Sequence, residues 1–137
     1  MRRCSSLLVL FGVTLSGCVG AAANHETVAD EAYAEGRYAD ALVEYRLALA
    51  SDSSNAELRA KAAAAALHSG DYEIAVEEFV ALGSVGGESR VGQAADGLVR
   101  VVNAAIERGD QVSLVAALEG LQSIAPGRAL GSFAQHV

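Results

Sequence analysis

Gly36-Arg37-Tyr38-Ala39-Asp40-Ala41-Leu42-Val43-Glu44-Tyr45 and Gly70-Asp71-Tyr72-Glu73-Ile74-Ala75-Val76-Glu77-Glu78-Phe79 are two copies of one pattern. The glycines stand 34 residues apart, and the pairs Tyr38/Tyr72, Ala41/Ala75 and Tyr45/Phe79 keep that spacing. A fixed period of this size marks a stack of similar supersecondary units. In each copy the glycine can take the left-handed conformation that ends a helix. The tyrosine then packs over the turn, the alanine lets two helices approach closely, and the second aromatic fills the space towards the next unit. Upstream, Val28, Ala29 and Ala32 match Ala62, Ala63 and Ala66, the i, i+1, i+4 spacing of one helical face. First helices are therefore predicted over 22–35 and 56–69.

Between the copies, Ser51-Asp52-Ser53-Ser54-Asn55 reads as a turn, with Ser54 and Glu57 predicted to form a capping box on the next helix. A third, degenerate copy has Gly109-Asp110 at its turn, Gln111 for the tyrosine, Leu114 for the alanine, Leu118 and Leu121 in the following apolar slots, and Pro126 at its close. Leu98, Val101, Val102 and Ala105 supply its first-helix face. Its glycine lies 39 residues after Gly70, and the extra residues are assigned to Gly83–Ser89, a loop by composition.

These motifs resemble the tetratricopeptide repeat (TPR). The resemblance implies an all-α fold, a right-handed solenoid of about three helix-turn-helix repeats at about 22–55, 56–94 and 95–128, closed by a C-terminal stub at 129–137. In the stub, Leu130 and Phe133 stand i, i+3 and would cover the last pair. An end covered by a partner or a second copy is the alternative.

The N-terminus reads as an address. Arg2 and Arg3 precede the apolar run Leu7–Leu15, too short for the ~20 residues that span a bilayer but suited to a signal peptide. The run ends in Leu15-Ser16-Gly17-Cys18, which resembles the bacterial lipobox. That resemblance implies a lipoprotein signal peptide at 1–17, lipidation of Cys18, and a short tether to residue 21 before the repeat domain of 22–137. Several acyl chains on one residue anchor firmly where one is marginal. Val19 in place of Asp favours, by analogy with enterobacterial lipoproteins, the periplasmic side of the outer membrane, with the inner membrane as the alternative.

The whole chain has 137 residues, a net charge of −7, 52 % apolar residues and one Pro. Loss of Arg2 and Arg3 with the leader leaves eight basic against 17 acidic residues. Phosphate contacts need Lys and Arg, so nucleic acid is a poor partner. His25, His68 and His136 are far apart and none has a His or Cys at metal-ligand spacing, so neither a metal nor another cofactor is expected. Glu77 and Glu78 point about 100° apart on a helix and read as a solvated face, not a catalytic pair. With no P-loop lysine after Gly83–Ser89, no Gly-x-Ser-x-Gly elbow and no nucleophile–base pair, the chain does not read as an enzyme.

In the TPR family the first helices line a concave groove that binds protein segments. Transferred to this chain, the groove slots are Glu26, Asp30 and Tyr33, then Ala60, Ala64 and Leu67, then Val99, Asn103 and Ile106. Leu67, Val99 and Ile106 read as an apolar stripe suited to a partner. Glu26 and Asp30 stand where a carboxylate clamp would need cations, so the groove is expected to meet a basic or neutral segment. The function implied is a membrane-anchored adaptor for protein partners in assembly of an envelope machine, a pilus or secretion system. A regulatory subunit of a cell-wall or polysaccharide synthesis complex, or a self-associating structural lipoprotein, are the alternatives.

Overall fold

The computed structural model describes residues 18–128. The signal peptide, the stub with Leu130 and Phe133, and His136 lie outside the described residues.

The three glycines expected to end first helices do so. Gly36, Gly70 and Gly109 adopt φ of 77°, 84° and 69°. At each, the glycine N–H donates to the carbonyl three residues back and the next N–H to the carbonyl five residues back: Arg37 to Ala32, Asp71 to Ala66, Asp110 to Ala105, all 2.9 Å. This is the Schellman closure, which satisfies carbonyls that a helix end leaves free. The residue that completes it also starts the next helix, because Arg37, Asp71 and Asp110 accept from the N–H of Ala41, Ala75 and Leu114. One short turn thus fixes two antiparallel helices.

Six helices result among the described residues: α1 (Cys18–Ala34), α2 (Tyr38–Ser51), α3 (Ala56–Ser69), α4 (Tyr72–Ser84), α5 (Glu88–Arg108) and α6 (Gln111–Ile124). They pack in consecutive pairs, with α3 also touching α5 and α4 touching α6. The fold is all-α. The core is built largely from alanine: Ala29 and Ala32 of α1, Ala41 and Ala48 of α2, Ala62, Ala63 and Ala66 of α3 and Ala75 of α4 are all fully buried or nearly so, and α1 packs on α2 and α3 on α4. Small side chains allow close helix approach, and alanine adds the highest helix propensity. Tyr45, Phe79, Leu82, Leu98 and Leu121 fill the remaining volume.

Five details differ from the sequence reading. Helix α1 begins at Cys18, so the residues read as a tether form its first turn. The α3 cap is Asn55, whose Oδ1 accepts from the N–H of Glu57 and of Leu58, while the Ser54 hydroxyl donates to Asp52. Gly83, Ser84, Glu88 and Ser89 are helical, and the loop shrinks to 85–87. The extra residues lie instead in α5, 21 residues long against 14 for α3. In α6, Leu114 and Leu118 are only partly buried, and Ser113, Ala117, Gly120 and Leu121 make the tight contact. Glu78 is no solvated residue: it is 5 % exposed and accepts from Arg59 Nη1 at 2.7 Å, linking α4 to α3. A buried carboxylate is tolerable only with such a partner.

Three glycines hold helices together from within helices. A Cβ on Gly97 of α5 would lie 2.3 Å from the Phe79 ring of α4, one on Gly120 would lie 2.7 Å from Val80, and one on Gly83 would lie 2.8 Å from Ile124. Gly92, on the same helix as Gly97, has nothing within 4 Å of such a Cβ. Gly97→Ala is therefore expected to lose about 1–3 kcal/mol by overpacking, despite better helix propensity. Gly92→Ala is expected to gain about 0.5–1 kcal/mol from propensity alone. Urea unfolding of the two variants checks the contrast.

Candidate functional site

Every first helix ends at its turn glycine in the same way, and α1, α3 and α5 lie together on one side, where they line common depressions. Two depressions, of about 440 and 480 Å³, open there. They share Ala60, Ala64 and Gln93, so they form one trough across the three helices. Helix α1 contributes Asp30 and Tyr33, with Tyr45 of α2 beside them. Helix α3 contributes the small floor, Ala60 and Ala64, and the flanking Glu57 and Lys61. Helix α5 contributes Gln93, Asp96, Gly97 and Arg100, with Glu88 at its start and the Phe79 ring below.

The α1 wall is tied to α3 by an ion network. Lys61 Nζ donates to Glu26 Oε1 at 2.8 Å and to both Asp30 oxygens at 3.0 Å. The Tyr45 hydroxyl donates to Asp30 Oδ1 at 2.5 Å. Burial alone would raise the Asp30 pKa, but the bonds from Tyr45 and Lys61 outweigh it and hold the carboxyl below its ordinary value. For Lys61, burial pulls downward and the two carboxylates push harder upward, so the ammonium is stabilised. Burial, and then the bond to Asp30, raises the Tyr45 phenol well above its ordinary value.

At the turn end, Tyr33 meets Tyr38 edge-on at 5.0 Å between centroids, and His68 stacks on Tyr38 at 4.9 Å. Burial and the neighbouring Tyr38 raise the Tyr33 pKa, and Arg100 opposes them from across the floor. His68 thus belongs to an aromatic cluster as well as to a helix end. His25 Nδ1 lies 2.6 Å from Glu44 Oε2, joining α1 to α2.

Of the sequence-expected groove residues, Asp30, Tyr33, Ala60 and Ala64 line the trough. Glu26 borders it through Lys61. Leu67 does not: it is 9 % exposed and packs in the core. Val99 is half-buried against the core, Asn103 is exposed outside the trough, and Ile106 is 53 % exposed. The apolar stripe proposed from Leu67, Val99 and Ile106 is therefore not a single surface. The reason is the length of α5: counting back from Gly109 by the spacing of α3 misses the earlier start of α5, whose N-terminal half lines the trough. The amphipathic spacing of Gln93, Asp96 and Arg100 is the signal that carries this. At the acidic end a single ammonium, Lys61, is shared by the two carboxylates Glu26 and Asp30, while Glu57 and Glu88 are carboxylates at the trough without an ion-pair partner among the described residues.

Among the described residues, no cluster of three His, Cys, Asp or Glu side chains is arranged to hold a metal ion, and no helix is long and apolar enough to cross a membrane. No family model, curated protein or solved structure matches the chain.

The network has a pH signature. Asp30 is held below its ordinary value of 3.8, so its contribution to stability is present at neutral pH and lost as pH falls through the folded value. Lys61 is held above 10.5, so its contribution is lost only as pH rises through its folded value. Asp30→Asn is expected to lower the melting temperature at neutral pH, with the gap to wild type closing below about pH 4. Melting curves of both proteins across acid pH measure it.

Proposed function

We propose that the chain is a lipid-anchored adaptor of the tetratricopeptide type, a right-handed solenoid that holds a protein segment in the trough between its first helices. Its setting is the periplasmic face of the bacterial outer membrane, and its role is assembly of an envelope machine, a pilus or secretion system. The observation that carries this reading is the continuous trough, because all three first helices contribute to it and its floor is a concave strip of alanine. A concave surface built from successive repeats suits an extended or amphipathic protein segment. The 34-residue spacing of Gly36 and Gly70 and the glycine-closed hairpins support the repeat assignment. The run Leu15-Ser16-Gly17-Cys18 supports the anchor. With α1 beginning at Cys18, the anchor would hold the stack close to the lipid surface.

The test is crosslinking in the native envelope. A photoreactive residue at Ala64, on the trough floor, is expected to capture a partner that one at Val115 of α6, 52 % exposed, does not. Equal capture at both would move the interface off the trough. Cys18→Ser is expected to abolish incorporation of labelled palmitate and release the protein from membranes, and continued labelling would remove the anchor from the account.

A further inference from the structure

Away from the trough, the first hairpin carries an apolar surface of its own. His25 Nδ1 meets Glu44 Oε2 at 2.6 Å where α1 and α2 touch. Val28 stands i, i+3 from His25 and Leu47 stands i, i+3 from Glu44, so each continues that face of its helix. Val43, i, i+4 from Leu47, extends the face along α2. The three side chains are between 41 and 58 % exposed. Helix α3 meets the hairpin on its other side, where Lys61 reaches Asp30 and Tyr45 donates to the same carboxylate. Asp30 lies about 160° around α1 from Val28, and Tyr45 the same angle around α2 from both Val43 and Leu47.

The place of this face decides what covers it. Helix α1 begins at Cys18, so acyl chains on that residue leave no linker and bring the hairpin onto the lipid. Standing on end, the hairpin would press its α2–α3 turn into the headgroups, because antiparallel packing sets the start of α1 beside the end of α2. That turn is Asp52-Ser53-Ser54-Asn55, polar throughout and followed by Glu57. Lying on its side, the hairpin brings Val28, Val43 and Leu47 to the bilayer, which burial of apolar surface favours. The polar groups there fit a shallow position. His25 and Glu44 satisfy each other, and Asp40 is paired with Arg37. Glu31, i, i+3 from Val28, is exposed and keeps the face at the headgroup boundary. Arg46, exposed beside Leu47, can lay its stem on the apolar side chains and its guanidinium on a lipid phosphate. Three partly exposed side chains are too small a surface to recruit a protein from solution, so the anchor supplies attachment and the face supplies orientation.

We propose that the outer face of the α1–α2 hairpin rests on the lipid surface, with Val28, Val43 and Leu47 at the boundary between headgroups and acyl chains. This rests on the lipid-anchored reading and adds an orientation to it. Helices α1 and α2 lie along the membrane, the later hairpins stack away from it, and the trough that crosses α1, α3 and α5 runs outward from the bilayer.

The experiment uses the acylated chain, purified from membranes and reconstituted into phosphatidylcholine vesicles that carry a doxyl-labelled lipid as quencher. The sequence has two cysteines, Cys4 in the leader and Cys18, so an introduced cysteine is the one thiol that a nitrobenzoxadiazole label can take. Labels at Val28→Cys, Val43→Cys and Leu47→Cys are expected to shift to the blue and lose emission to the quencher. Labels at Ser53→Cys in the α2–α3 turn and Val112→Cys of α6, both exposed, are expected to keep theirs. Val43→Glu/Leu47→Glu is expected to abolish quenching at Val28→Cys while the chain stays with the vesicles through Cys18. Both positions are exposed, so melting stays near wild type. Quenching at Ser53→Cys alone would mean a hairpin standing on end and would overturn the proposal, as would equal quenching at all five positions or at none. Light scattering in detergent covers the remaining occupant: a dimer that Val43→Glu/Leu47→Glu dissolves would assign the face to a second copy and overturn the proposal too. Mass spectrometry of the purified chain separates the two readings. Acyl chains on Cys18 with no quenching at the hairpin overturn the orientation alone, whereas an unacylated Cys18 overturns the anchor and the orientation with it.

Discussion

The fold depends on one local event repeated three times: a glycine turns left-handed, closes one helix, and the following residue starts the next. Its energetic basis is the accounting of helix ends. The last carbonyls of a helix need donors, and a Schellman closure supplies two of them from the turn itself. Because Arg37, Asp71 and Asp110 complete one helix and begin another, there is little freedom between the two. The hairpin angle is thereby set before any long-range contact forms, and the alanine faces need only slide together.

That constraint propagates to the trough. Each turn ends its first helix in the same way, and α1, α3 and α5 lie together on one side, where they line common depressions. Alanine at the contacts brings the helices close, and the same small residues on the outer side of α3 leave a concave floor at Ala60 and Ala64. The Lys61 network then ties α1 to α3 across the floor's edge, and Arg59 with Glu78 ties α3 to α4. Glu57 and Glu88, without an ion-pair partner among the described residues, occur in first turns, where helix N-termini favour negative charge.

The period of 34 and the identity of Gly36 and Gly70 made the helix pairs, their turns and most of the core readable from the residues. Part of the trough's lining, Asp30, Tyr33, Ala60 and Ala64, was named in advance only through the groove slots that the resemblance to the tetratricopeptide repeat implies. The third unit's turn at Gly109 and its buried face at Leu98, Val101, Val102 and Ala105 were readable too, but its share of the trough was not, because repeat spacing carries no information about a longer helix: α5 absorbs extra residues that composition assigned to a glycine-rich loop. Gly97 and Gly120 were also invisible. A glycine inside a helix costs propensity, and only the packing partner, the Phe79 ring or Val80, reveals what it is for. Leu67 and Glu78 were misplaced for a shared reason: burial depends on the neighbouring helix, which helical periodicity on its own does not contain.

Left-handed turns, more than side-chain packing, set the hairpins on which the trough is built. Gly109 tests this most directly, since a Cβ there meets nothing within 4 Å and only the backbone conformation is probed. The measurement is the melting temperature of semisynthetic chains with L-alanine or D-alanine at Gly109. D-alanine favours the left-handed region, so a melting temperature at or above wild type is expected for D-alanine and a clear loss for L-alanine, about 1 kcal/mol apart or more. Equal melting of the two chains would contradict it.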